Sequence, residues 1–130
     1  MKISRPVLAL LSVALMVSAA QAQNAQAVHI LLTSYAFTPA TITLKAGTTY
    51  RLHLTNDSNK GHDFTAAEFF AASTIAPEDR ARLEDDSELE VGAGKSADIT
   101  VTPNRAGTYP LTCSHFLHAT FGMTGTIVVQ

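Results

Sequence analysis

Six stretches of this chain alternate side chains with a period of two. Val28, Ile30 and Leu32 alternate with His29, Leu31 and Thr33, and Ile42 and Leu44 with Thr41 and Thr43. Tyr50, Leu52 and Leu54 alternate with Arg51, His53 and Thr55, and Ala97, Ile99 and Val101 with Asp98, Thr100 and Thr102. Tyr109, Leu111 and Cys113 share a face opposite Pro110 and Thr112, and Gly125, Ile127 and Val129 close the chain. Successive side chains of a strand point to opposite faces, so this period marks strands buried on one side. Turn clusters separate them at 56–61, 92–94 and 102–107. Several short strands between turns predict an all-β fold, an antiparallel sandwich or barrel.

One stretch breaks the pattern. Residues 66–83 are mostly helix formers, and Pro77 suits the first turn of a short helix. A short helical insertion is expected there. The run Glu84-Asp85-Asp86-Ser87-Glu88 that follows reads as a solvated acidic loop.

The first 22 residues read as a signal rather than as fold. Lys2 and Arg5 precede the apolar stretch Val7–Val17, and Ala20 and Ala22 form an A-x-A site. This is the pattern of a cleaved secretory signal peptide over 1–22, which exports residues 23–130 to the periplasm as one domain. Ala25-Gln26-Ala27 offers a second cut. The apolar stretch falls short of the roughly 20 residues of a spanning helix, so no stable membrane insertion is expected after cleavage. No Cys lies near the cut, which argues against a lipid anchor. The exported chain carries seven basic and eleven acidic side chains. That balance lacks the basic patch of a nucleic-acid binder.

Cys113 is the single cysteine, which excludes an internal disulfide framework and a four-cysteine zinc site. A lone thiol in an exported protein needs a reason: an intermolecular bridge, reactivity or a metal. Residues 113–125 read Cys-Ser-His-Phe-Leu-His-Ala-Thr-Phe-Gly-Met-Thr-Gly. Thiolate, imidazole and thioether together suit copper, and His₂Cys with a weak axial Met is the blue-copper arrangement. Such a site needs a second His from elsewhere, and His62, after a strand and its loop, is the candidate. The plainer alternatives are a core thiol at Cys113, core filler at Met123 and a surface residue at His62. Zinc accepts thiolate and imidazole too, but Met gives little reason to choose it. His29 and His53 fall on the polar sides of their strands and read as surface side chains.

At these residues the chain resembles the cupredoxin, or blue copper, family. The resemblance covers essentially the whole exported chain and is carried by the segment 106–113, by His118, and by Gly122-Met123-Thr124-Gly125. Four residues separate Cys113 from His118, and four separate His118 from Met123, a spacing similar to rusticyanin and, for the first interval, to azurin. The resemblance implies a Greek-key β-sandwich and one copper ion cycling between Cu(I) and Cu(II). His62, Cys113 and His118 would be equatorial ligands and Met123 the axial one. It further implies a monomeric one-electron carrier, not an enzyme, that meets redox partners near His118 through an apolar rim of Phe116, Leu117, Ala119 and Phe121. The acidic residues of 84–90 would steer a basic partner. Copper tolerance, storage or delivery, with copper-handling proteins as partners, is the alternative use of the same ligands.

Two residues depart from the familiar pattern. His115 lies two positions after Cys113, where it is supporting, exposed, or a ligand of a variant site. Asp63 follows the first candidate ligand where Asn is common. It is expected to bond across to the Cys113 loop, for example to the Ser114 or Thr112 hydroxyl, and its charge would favour Cu(II).

Overall fold

The computed structural model describes residues 24–130. The expected signal segment 1–22 lies outside them. Among these described residues, ten strands and two short helices run in the order β1 (Gln26–Thr33), β2 (Ala36–Thr38), β3 (Thr41–Leu44), β4 (Tyr50–Asn56), β5 (His62–Thr65), α1 (Ala67–Ala71), β6 (Ser73–Ile75), α2 (Pro77–Arg80), β7 (Glu88–Val91), β8 (Ser96–Pro103), β9 (Gly107–Thr112) and β10 (Thr124–Val129). They form two five-stranded sheets, ordered β2-β1-β4-β8-β6 and β3-β10-β9-β5-β7. No helix among the described residues is long and apolar enough to cross a membrane.

The alternation predicts the inner faces. Ile30, Leu32, Ile42, Leu44, Tyr50, Leu52, Leu54, Ile99, Val101, Tyr109, Leu111, Cys113, Ile127 and Val129 are all buried between the sheets. Val28 and Ala97 are only partly covered. Each fully buried Leu or Ile contributes about 1.5–3 kcal/mol relative to exposure, so the shared core drives the pairing of the sheets.

The structure corrects two expectations and refines a third, the helical insertion, which is present. The sandwich is not wholly antiparallel, because β1 pairs with β4, and β3 with β10, in parallel. After β2 the chain crosses to the other sheet as β3 and returns beside β1, so β4 runs in the direction of β1. The 66–83 insertion is two short helices with strand β6 between them, paired to β8. Pro77 does start the second helix. Finally, the acidic run does not end in a loop: Glu88 opens β7, which pairs with β5 and sets Glu90 directly opposite Asp63.

Candidate metal centre

Three segments converge at one end of the second sheet. The loop before His62 is held by Asn56, a buried polar residue. Its amide donates to the carbonyls of Lys60 (2.7 Å) and Val91 (2.9 Å), and its own oxygen accepts the Ser58 hydroxyl (2.7 Å). The turn at 57–61 is thereby closed from inside, and His62 enters β5 facing the core. Cys113 follows β9 directly. The chain then coils through 114–123 before β10. The His118 amide donates to the His115 carbonyl and the Met123 amide to the His118 carbonyl, each at 3.0 Å, and the Cys113 amide donates to the Met123 carbonyl at 3.2 Å. Leu117 at φ 64° and Gly122 at φ 102° make the two left-handed bends of this coil.

The result is a triangle of donor atoms. His62 Nδ1 lies 3.1 Å from His118 Nδ1 and 3.9 Å from Cys113 Sγ, and His118 Nδ1 lies 3.4 Å from that sulfur. The centre of such a triangle is about 2 Å from each corner. That matches metal–imidazole bonds of about 2.0–2.1 Å and falls slightly inside a metal–thiolate bond of about 2.3 Å, as known from zinc sites. The exposures are 0% at His62, 1% at Cys113, 0% at Met123 and 8% at His118. The structure therefore brings His62, Cys113 and His118 together, and the Met123 backbone ties the Cys113 and His118 ends of the loop.

Protonation follows from burial. Burial first, and the facing imidazole of His118 second, lower the pKa of His62; burial and then His115 lower that of His118. Both rings are held neutral, with lone pairs available. Burial pushes the Cys113 thiol up. A thiolate there needs a cation beside it, which a metal supplies. The second nitrogen of His62, Nε2, lies 3.0 Å from Ser34 Oγ. A proton kept on Nε2 for that bond leaves Nδ1 facing the triangle. Neither Ser34 nor Tyr35, whose ring centroid is 4.8 Å from that of His118, carries a signal in the sequence that points here.

Asp63 is fully buried and crosses to the cysteine loop through Ser114, one of the two expected partners. The Ser114 amide donates to both carboxylate oxygens (2.9 and 3.1 Å) and its hydroxyl to Oδ2 (2.6 Å); the Thr65 hydroxyl donates to Oδ1 (2.7 Å). His115 stands outside the triangle. Its Nε2 lies 2.9 and 3.1 Å from the two oxygens of Glu90, and its ring stacks on His118 at a centroid distance of 5.2 Å. The hydrogen bond to Glu90 raises its pKa. His29 is exposed, and His53 bonds Asp98 at 2.8 Å; both belong to the other sheet, apart from the triangle.

The family model of the cupredoxin-like domain matches residues 6–129. The copper-resistant cuproprotein CopI of Rubrivivax gelatinosus is 31% identical over 116 residues, covering 86% of this chain and 70% of that one. Reduced auracyanin of Roseiflexus castenholzii superposes with a TM-score of 0.62 at 19% identity, over 82% of this chain and 98% of the other. The McoA multicopper oxidase of Aquifex aeolicus shares the fold at TM-score 0.62 and 15% identity, over 82% of this chain but only 29% of the oxidase. With a two-sheet sandwich and a triangle of one sulfur and two imidazoles, this chain belongs to the cupredoxin-like family, and copper is the cofactor its donor set fits.

Proposed function

We propose that His62, Cys113 and His118 hold one copper ion as equatorial ligands, that Met123 is its axial ligand, and that the exported, monomeric domain 23–130 serves as a one-electron carrier in the periplasm. The observation that carries this reading is the convergence of two Nδ1 atoms and one Sγ, from β5, the end of β9 and the following loop, all three residues being buried. Bound copper supplies one-electron chemistry between Cu(I) and Cu(II).

The chain's own residues keep that exchange cheap. Ser34 orients His62, Asp63 ties the cysteine loop to β5, and backbone bonds lock the Cys113–Met123 coil. Donors fixed in this way need little rearrangement between oxidation states. His118 is the least covered of the four, and around it Phe116 (87% exposed), Leu117 (44%) and Phe121 (58%) are the exposed large hydrophobics among the described residues. Apolar side chains clustered on one exposed loop suit a transient docking face. Glu84, Asp85, Asp86 and Glu88 lie on β7 and its approach, where Glu88 Oε2 stands 3.0 Å from Ser114 Oγ of the ligand loop, and would steer a basic partner.

The test is an optical and EPR spectrum of the copper-loaded protein beside Cys113→Ala, His118→Ala and His115→Ala. A thiolate-to-copper band lost in the first two and kept in the third is expected. A band lost in His115→Ala but kept in His118→Ala would overturn the ligand set. Copper tolerance is the second reading, favoured by the CopI relationship and by the half-open His115–Glu90 pair beside the pocket. Copper sensitivity of a deletion strain with normal respiration would select it. Fast self-exchange and a redox defect without copper sensitivity would select the carrier.

A further inference from the structure

Asp63 and Glu90 are directly opposed on the antiparallel pair β5/β7. Like charges placed so are destabilising unless a cation sits between them. Among the described residues, His115 is the one ion-pair partner of either carboxylate, with Nε2 3.7 Å from Asp63 Oδ2 and 2.9 Å from Glu90 Oε2. The donor atoms of the three all lie within 4.8 Å of one another. Gly61 makes the approach possible: a Cβ there would stand 2.9 Å from Glu90 Oε1 and 3.1 Å from His115 Cε1.

We propose that His115 and Glu90 form a second metal site at the mouth of the buried one, with Asp63 behind them, for a divalent ion that prefers nitrogen and oxygen donors, Cu(II) or Zn(II). Imidazole and carboxylate without sulfur suit these ions, whereas the thiolate of the inner site also accommodates Cu(I). The side chains of His115 and Glu90 are 34% and 41% exposed, so an ion reaches them from solvent. Asp63 contributes charge more than a bond, because its oxygens already accept Ser114 and Thr65. The site does not depend on the inner ligand assignment. The stack of His115 on His118 makes the two sites neighbours.

The experiment is a titration of the full protein, already holding one equivalent of Cu(II), with a second equivalent, followed by EPR and optical absorption. An axial EPR signal without added thiolate-to-copper absorption is expected. Glu90→Gln should weaken this second binding at least tenfold, the scale seen when a supporting partner of a metal is lost. The first band, unchanged in Glu90→Gln, shows that the variant folds. His53→Ala should leave both sites alone. Cys113→Ala should lose the first site and still take one Cu(II) with the axial signal, which separates failure of this proposal from failure of the inner one. Absence of a second equivalent, equal affinity in Glu90→Gln, or loss in His53→Ala would each overturn the proposal, leaving a protonated His115 as the cation between the carboxylates.

Discussion

His62 and Asp63 are consecutive residues of β5, and they serve opposite environments. His62 enters a sulfur–imidazole triangle sealed from water, with His118 and Cys113. Asp63, equally buried, backs a half-open group of His115 and Glu90. The same ligand loop feeds both groups, since Cys113 and His118 point into one and Ser114 and His115 turn to the other. Imidazoles therefore behave in opposite ways a few ångströms apart. Burial keeps His62 and His118 neutral, while a hydrogen-bonded carboxylate favours the charged form of His115. What a histidine does here is set by what stands against it, not by its distance along the chain from the cysteine.

The sharpest way to break the contrast is to remove the sulfur. Cys113→Ala should abolish the visible charge-transfer band and weaken copper binding at the buried site by roughly a hundredfold or more, beyond the range for a merely supporting partner; absorption reads the band and EPR the loss of the thiolate-bound signal. Next comes the pair of imidazoles on either side of the boundary. His62→Ala should remove the band, whereas His115→Ala should shift it only slightly, and identical spectra from the two variants would erase the distinction drawn between the groups.

Asp63 tests the wall between them. Asp63→Ala strands the Ser114 amide, while the Ser114 hydroxyl keeps Glu88 Oε2 at 3.0 Å, and should cost about 1–3 kcal/mol in urea denaturation. Asp63→Asn keeps the shape but removes the charge. Its reduction potential should rise, because a negative charge near the centre favours Cu(II). An unchanged potential would remove Asp63 from the account of redox tuning.

The smallest effect concerns pH. The hydrogen bond to Glu90 raises the folded pKa of His115 above the ordinary imidazole value of 6.5. Its stabilising contribution is thus fully present below that unfolded value and is lost as pH rises through the folded one. Both side chains are more than a third exposed, so screening limits the pair to a few tenths of a kcal/mol. Glu90→Gln should destabilise the protein slightly at pH 6 and negligibly at pH 9. An equal loss at both would mean that the pair acts by packing rather than by charge.

Much of the fold was legible because strands covered on one face write their burial as alternation. The inner residues of β1, β3, β4, β8, β9 and β10 were read in this way. Strand β5 was not, since His62, Asp63 and Phe64 are all buried and a strand covered on both sides does not alternate. In β7, Leu89 and Val91 do alternate with Glu88 and Glu90, but the acidic run before them masks the pattern. Ser73–Ile75 was hidden among helix formers. The parallel pairs followed from a crossover between sheets, which local periodicity does not record.

The sequence alone supplied the candidate donors. A single thiol, two imidazoles and a thioether at those intervals restrict the metal by their softness, and softness is a property of atoms that needs no coordinates. The tertiary structure decided the grouping. Ser34 reaches His62 across 28 residues, and Glu90 meets His115 across 25, because strand register and the coil after β9 deliver them there. Register is settled by burying whole faces of two sheets at once, a cooperative outcome that no short stretch of residues contains.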